Sequence, residues 1–481
     1  MLLGLDFGTG SVKALLLSTE GTVLGEASQP YPIDAPQPDW AETDPQAWWN
    51  AAAIAVRSIV SAQIAQNQSV QAIGLSGQMH GVVLTTAAGE PLRPAILWAD
   101  TRSSQSLTAY HQLDIQLRQR LANPIATGMA GTTLLWLRDH EPEIYATARW
   151  ALQPKDWIRL RLTGIAAADP SDASATLLYD LPNDRWAEDI AAALNLRSDW
   201  LAPIVPSGQI AGYLTVEAAE HLNLPVGIPV AAGAGDTAAA LVGSCLTTPG
   251  LAQLTIGTAA QIAVIRSQPA IARDGTHLFR SALPGQWYSL AALQNAGLAL
   301  EWVRNLLGYT WPQIYAEAFT VPPGCNGLTF LPYLTGDRTP HLDPQIRGSW
   351  AGLSLVHTRA YLMRSSLEGV AFSLRQGLDA LCASGVTPSH LRLAGGGSIE
   401  PQWRQLLADV LQVPLHSLSV SAASAQGAAL LAGQAIGLEF ASPSIAQVTL
   451  PHLMSPGLEA AWQRFGRLYP RLAGFDPRSA G

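Results

Sequence analysis

A strand–turn–strand device appears in both halves of the chain, and no other feature constrains the fold as much. The first copy is Leu5-Asp6-Phe7-Gly8-Thr9-Gly10-Ser11-Val12-Lys13, running on into Ala14-Leu15-Leu16-Leu17. The second is Leu254-Thr255-Ile256-Gly257-Thr258-Ala259-Ala260-Gln261-Ile262, running on into Ala263-Val264-Ile265. Each reads as a β-strand, a tight Gly-Thr turn and a returning strand. Small residues at such a turn let backbone N–H groups approach an anion, and the threonine adds a hydroxyl donor. One such turn alone is an ordinary hairpin. Two of them, one per lobe, make a clasp for a polyphosphate, which is a nucleotide-binding pattern.

At 481 residues the chain is too long for one core and is expected to form two domains. With 48% hydrophobic and 13% charged residues it suits large buried sheets in a soluble protein. No apolar run reaches the roughly 18 residues a membrane span needs. The start, Met1-Leu2-Leu3-Gly4-Leu5-Asp6, has neither a basic region nor a cleavage site, so no signal peptide is expected. Cys245, Cys325 and Cys382 lack paired or metal-ligand spacing and fit a reducing cytoplasm. A net charge of −8 argues against non-specific nucleic-acid binding. Among 28 basic residues, Lys13 and Lys155 are the two lysines. Either arginine has replaced lysine generally, or a compact ammonium is needed at these two places. Lys13, at the edge of the first turn, either faces phosphate or is simply exposed on the strand.

The first 30 or so residues read as a meander of Leu2–Asp6, Val12–Ser18 and Thr22–Ser28. Asp44-Pro45 opens a long helix to about Ala65, with Asp44 as N-cap and proline at the first helical position. Strand Ala72–Ser76 leads into Gly77-Gln78-Met79-His80-Gly81, and a stretch from about 105 to 225 looks mainly helical. Pro229–Ala232 is a strand that runs into Gly233-Ala234-Gly235-Asp236 and a helix of small residues. The boundary is placed near Thr247–Gly250, giving lobes 1–247 and 248–481. Thr358–Gly385 reads as a long amphipathic helix, and Leu391–Ala394 enters Gly395-Gly396-Gly397-Ser398 before another helix from about Pro401. Strand meander followed by helix, in two halves, points to a two-lobed α/β architecture of the ribonuclease-H-like, actin-like ATPase kind with an interlobe cleft.

Asp6 ends the first strand beside the Gly-Thr turn. A carboxylate there either caps the turn or holds hydrated magnesium against a polyphosphate, since Mg²⁺ keeps several waters and takes few protein ligands. Asp236 is either a helix N-cap or a general base projecting off a strand end into the cleft. Apolar neighbours would raise its pKa into a base's useful range. Gly395–Gly397 sits between strand and helix and fits close approach to a nucleoside. A histidine after a strand, as at His80, is more often structural.

Taken together these segments resemble the FGGY carbohydrate kinases over essentially the whole chain, with the xylulokinase branch nearest in its motifs. The resemblance is carried by Gly74-Leu75-Ser76-Gly77-Gln78-Met79-His80-Gly81 and by Leu331-Pro332-Tyr333-Leu334-Thr335-Gly336-Asp337-Arg338-Thr339-Pro340-His341. Trp40-Ala41-Glu42-Thr43-Asp44-Pro45, Pro154-Lys155-Asp156-Trp157 and Leu367-Glu368-Gly369-Val370-Ala371-Phe372 match as well. The resemblance implies transfer of the γ-phosphoryl of ATP to the carbon-5 hydroxyl of a ketose, with D-xylulose favoured and D-ribulose or another pentulose the alternative. It makes Asp236 the catalytic base and Met79, His80, Trp98 and Thr237 the sugar-site residues. Asp6 would sit at Mg²⁺. Thr9, Gly10, Ser11, Lys13, Gly257 and Thr258 would hold the phosphates, and Gly396, Gly397 and Gln402 would border adenosine. The expected partners are a small-molecule ketose and ATP, with no nucleic acid and no membrane; a homodimer stays open. Thr237 stands where many xylulokinases have asparagine, and Ala99 interrupts their usual Leu-Trp-Asn-Asp run, both of which bear on sugar choice. A non-catalytic sensor on this fold is the different-class alternative, and retention of Asp6, Asp236 and both threonine-bearing turns speaks against it. A chaperone-type ATPase would need a separate peptide-binding domain, which the chain lacks.

Overall fold

The computed structural model describes residues 1–64, 69–270, 275–395, 400–418, 422–440 and 445–474. Its first sheet is built from β1 (Leu2–Phe7), β2 (Ser11–Leu17), β3 (Val23–Pro30), β4 (Ala72–Gly77), β5 (Ile210–Tyr213), β6 (Pro229–Ala231) and β7 (Ala234–Gly235). The strand order is β5-β6-β4-β1-β2-β3, with β7 also paired to β4. The second sheet uses β8 (Ala252–Ile256), β9 (Ala260–Arg266), β10 (His277–Arg280), β11 (Trp287–Leu293), β12 (Leu391–Ala394), β13 (Leu415–Leu418) and β14 (Ile445–Thr449). Its order is β10-β11-β9-β8-β12-β13-β14.

The two sheets repeat one plan. Reading β3-β2-β1-β4-β6-β5 beside β11-β9-β8-β12-β13-β14, the pairings run antiparallel, antiparallel, parallel, parallel, antiparallel in both. The expected meander is therefore present twice, and β1–β2 and β8–β9 are its two hairpins. The register aligns Asp6 with Lys13 in the first and Thr255 with Gln261 in the second. One expectation needs correction: the stretch read as mainly helical contributes the edge strand β5. Its antiparallel pairing with β6 slips between Ile210 and Gly212, so no clean alternation marks it in the sequence.

Helices cover both faces of each sheet. The first lobe holds α1 (Pro45–Ile64), α2 (Pro154–Thr163), the single turn α3 (Pro170–Ala173) and α4 (Asp236–Gly243). The second half adds α5 (Gly297–Leu307), α6 (Arg359–Cys382), α7 (Pro401–Leu411) and α8 (Ala423–Ala435). Asp44 starts α1 as expected, its Oδ1 accepting from Gln46 N at 2.9 Å. Trp48, Val56 and Val60 of α1 join Leu3, Leu5 and Phe7 of β1 in one core, while α6 and α7 cover the second sheet in another. β1 is apolar without alternation because Leu2, Leu3, Leu5 and Phe7 are all fully buried, on opposite faces of a covered sheet.

A third core joins the halves. It combines Leu2, Leu15 and Leu17 of the first sheet, Ala263 and Ile265 of the second, and residues of α4 and α8. Helix α8 comes from the second half of the chain but lies directly on the first sheet. Added methyl groups at Gly4 and Gly74 would come within 2.0 Å of Ala425 O and 1.8 Å of Ala428 O. The small residues of α8 and these two glycines thus allow a backbone-to-backbone seat that larger side chains would forbid.

Candidate active site

The first Gly-Thr turn is held from the side. Gly8 N donates to Ser11 O at 3.1 Å, and the Gly8 carbonyl accepts from Tyr31 Oη and, at 3.4 Å, from Gln78 Nε2. Tyr31 N donates to Gly10 O at 3.1 Å. Trp98 Nε1 donates to Thr9 Oγ1 at 3.0 Å. The expected sugar-site tryptophan therefore reaches the first Gly-Thr turn, and by filling an acceptor site on Thr9 it leaves that hydroxyl's hydrogen free to point elsewhere. Asp6 lies at the base of the turn, where Ser76 Oγ donates to its Oδ1 at 2.9 Å. Burial raises the Asp6 pKa against the lowering effects of that bond and of Lys13. Lys13 itself is exposed.

Asp236 is the first residue of α4, with Gly235 in the N-cap position. The N-cap alternative is thereby excluded. The carboxylate folds back onto its own neighbour: Oδ1 accepts from Thr237 N at 2.5 Å and from Thr237 Oγ1 at 3.2 Å. Oδ2 has no hydrogen-bond partner among the described residues. Burial, and secondarily the charge of Asp6, raise the Asp236 pKa to about 6, against the pull of the Thr237 bonds. That is a value suited to a general base near neutral pH. Thr237 Oγ1 also lies 3.4 Å from Gln261 Oε1 of β9, linking the start of α4 to the second sheet. The corner that presents Asp236 is tight, since a methyl group at Gly235 would come within 2.8 Å of Met79 Cγ.

Met79 and His80 form the adjoining wall. Met79 is buried, and Tyr288 Oη approaches its sulfur at 3.9 Å. His80 has a positive φ of 72°, which turns its side chain out of the strand direction. Its Nδ1 lies 2.7 Å from Ala175 O. Burial lowers its pKa to about 4. The opposite wall comes from β10, whose Phe279 ring is 6.1 Å from His80 and 5.6 Å from His277. His277 is buried with no partner for Nδ1 among the described residues, and burial lowers its pKa to about 3. Burial also lowers the pKa of Arg338, whose charge bears on both histidines.

The second turn is more open. Gly257, Thr258 and Ala259 are exposed, and the carbonyls of Gly257 and Thr258 accept from the first N–H groups of α5, Gly297 at 3.1 Å and Leu298 at 2.8 Å. Gly395 passes against β8 with a φ of 89°, where an added methyl would meet Ile256 O at 2.3 Å. Gly396 and Gly397 lie outside the described residues. Gln402 is exposed on the first turn of α7.

Deeper, under the Asp236 corner, Lys155 is fully buried with Nζ 2.5 Å from Asp156 Oδ1, 2.7 Å from Asp169 Oδ1 and 3.2 Å from Asp172 Oδ2. These three carboxylates offer oxygens within 4.8 Å of one another, the spacing of a cation site, and the cation there is the lysine ammonium.

Similarity to known proteins decides the family of the chain. The N-terminal domain of the FGGY family of carbohydrate kinases matches residues 1–243, and its C-terminal domain matches residues 252–436. The chain belongs to the FGGY carbohydrate kinases. This FGGY kinase is 36% identical to a xylulose kinase of Escherichia coli strain K12 over 412 residues, 85% of this chain and 84% of that one. It is 34% identical to a xylulose kinase of Klebsiella pneumoniae over 448 residues, 92% of each. Among solved structures, a Brucella ovis protein described as a xyloylose kinase superposes with a TM-score of 0.93 at 34% identity, covering 99% of this chain and 100% of that one. The two-lobed actin-like fold expected from the paired turns is the fold of this family, and ATP is its phosphoryl donor.

The sequence reading missed several groups around the cleft. His277 and Phe279 sit on an unremarked strand, and nothing near them in sequence hints that β10 faces His80. Arg338 lies within a recognised motif, but nothing in that motif shows that its charge bears on His80 and His277.

Proposed function

We propose that this kinase moves the γ-phosphoryl of ATP to the carbon-5 hydroxyl of D-xylulose, giving D-xylulose 5-phosphate. The observation that carries the mechanism is Asp236. It sits half-buried at a strand-to-helix corner, has one oxygen without a partner among the described residues, and has its pKa raised to about 6 by burial. The hydroxyl oxygen attacks phosphorus, its proton passes to Asp236 Oδ2, and the bond to ADP breaks with its electron pair leaving on ADP. Neutral His80 offers Nε2 as an acceptor for a sugar hydroxyl, because Nδ1 is committed to Ala175 O. Met79 and Phe279 give apolar walls that exclude water from the attacking oxygen. The choice of D-xylulose over D-ribulose is supported by relatives named for xylulose.

Thr9, Gly10, Ser11 and Lys13 on one side and Gly257 and Thr258 on the other are the phosphate clasp. Gln402 borders adenosine, the role the family resemblance also gives to Gly396 and Gly397. Lobe 1–247 supplies sugar and base, and lobe 248–481 supplies most of the nucleotide site. Asp6 fits Mg²⁺: it is a carboxylate with one oxygen bonded only by Ser76, flanked by a turn built for phosphate, as a hydrated ion with few protein ligands requires. Magnesium bound there would neutralise phosphate charge. No helix among the described residues is long and apolar enough to cross a membrane. A cytoplasmic site, where ATP is supplied, agrees with three cysteines of which none forms a disulfide among the described residues.

A panel of ketoses in a coupled ADP-release assay tests the reading. D-Xylulose is expected to give the highest kcat/KM, and D-ribulose or another pentulose ahead of it would overturn the sugar assignment. Sugar binding without ADP release would overturn the kinase reading in favour of a sensor.

A further inference from the structure

The buried lysine is joined to the catalytic corner by a continuous set of bonds. Lys155 Nζ pairs with Asp169 Oδ1 at 2.7 Å. The other oxygen, Asp169 Oδ2, accepts from Ser171 N at 2.9 Å, Ser171 Oγ at 2.6 Å and Ser207 Oγ at 2.8 Å. Ser171 Oγ in turn accepts from the N–H of Gly235 at 3.0 Å. Gly235 is the N-cap of α4 and the residue before Asp236. A few residues on, the carbonyl of Ala175 takes the Nδ1 proton of His80. Lys155, Asp169, Ser171 and Asp172 are all fully buried, so no water competes for these bonds. The segment from Ser171 in α3 to Ala175 just beyond it thus touches the backbone behind the base at one end and the sugar-wall histidine at the other.

We propose that Lys155, Asp169 and Ser171 form a positioning unit that aims Asp236 at the sugar hydroxyl while touching neither sugar nor nucleotide. The proposal rests on the reading of Asp236 as the base. Its parts have distinct duties. The carboxylate of Asp169 accepts the hydrogen bond of the Ser171 hydroxyl, which leaves the serine oxygen a stronger acceptor for Gly235 N–H. Lys155 neutralises Asp169 and Asp172 from below and holds the α3 turn against β4, where its Cβ lies 3.0 Å from where a methyl on Gly77 would stand. Three carboxylates this close admit a compact ammonium better than a planar guanidinium. That accounts for a lysine kept here in a chain whose other basic residues, Lys13 apart, are all arginine.

Removing Lys155 would strand buried carboxylates and risks the fold itself, so the test is made at Ser171. Ser171→Ala deletes the link to Gly235, while Ser207→Ala removes one equivalent bond from the same Asp169 oxygen and leaves that link in place. In the full-length enzyme, Ser171→Ala is expected to lower kcat for D-xylulose about 10- to 100-fold with KM changed less than about threefold, as for a misaimed base. Ser207→Ala is expected to keep kcat within about twofold at a comparable fall in Tm. Ser171→Cys fills the same space with a poor acceptor; it should reproduce the kcat loss and provides the measurement if the alanine variant is unstable. Wild-type kcat in the folded Ser171 variants, or equal kcat losses at Ser171 and Ser207, would overturn the proposal. Asp236→Asn, assayed alongside, separates the two readings. If it is inactive while the Ser171 variants are fully active, only the positioning unit falls. If it turns over normally, the assignment of the base falls.

Discussion

The Nδ1 atom of His80 lies 2.7 Å from the carbonyl oxygen of Ala175. A carbonyl can only accept, so Nδ1 carries the proton and Nε2 presents a lone pair to the pocket. Burial lowers the ring's pKa to about 4, so this tautomer persists through the neutral range. His80→Asn keeps a residue that tolerates the positive φ but shortens the reach to the sugar. The variant is expected to raise KM for D-xylulose about tenfold, the worth of one hydrogen bond of about 1.4 kcal/mol. Calorimetry should show ATP affinity unchanged.

The raised pKa of Asp236 gives two linked expectations. With burial raising the Asp236 pKa to about 6 in the free enzyme, kcat/KM should fall on the acid side of about pH 6 as the carboxyl becomes protonated, which a pH–rate profile will show. Folding raises this carboxyl from 3.8 to about 6, so its contribution favours the folded state at low pH and is lost as pH rises through that window. Asp236→Asn removes the cost of the buried charge. It is expected to be more stable than the wild type by about 1–3 kcal/mol at pH 7–8 and no more stable near pH 3.5, read from denaturant melts.

Trp98 reaches the first Gly-Thr turn. Its indole N–H is bonded to Thr9 of that turn, the proposed phosphate clasp, so Trp98→Phe should loosen the turn first. The expected result is a rise of about three- to tenfold in KM for ATP, with a smaller effect on KM for D-xylulose, from initial rates over both substrates.

The paired turns, the meander, Asp44 at the start of α1 and the Asp236 corner were all legible because each is written in adjacent residues. What was not legible depends on long-range return of the chain. The alanine-rich composition of α8 signals close packing, but nothing local says that it packs on Gly4 and Gly74 of the opposite half. The Lys155 group draws on Asp156, Asp169, Asp172 and Ser171, and a lysine beside one aspartate gives no sign of the other two. His277 reads as a lone histidine on an apolar strand until β10 is placed opposite His80.

Gly74 offers a direct test of the α8 seat. In Gly74→Ala the new methyl would fall 1.8 Å from Ala428 O, a backbone atom that cannot swing aside. The variant is expected to lose at least about 3 kcal/mol, at the severe end for overpacking, with a lowered midpoint in urea.

Asp236 is the residue on which the mechanism stands, and its replacement tests it most directly. Asp236→Asn keeps the acceptor for Thr237 N and the volume of the side chain but can take no proton from the sugar. Steady-state assay with D-xylulose and ATP, alongside ATP binding by calorimetry, is expected to show kcat reduced about 10²- to 10⁴-fold with the ATP Kd unchanged. Phosphorylation of D-xylulose at the wild-type rate by the asparagine enzyme would contradict it.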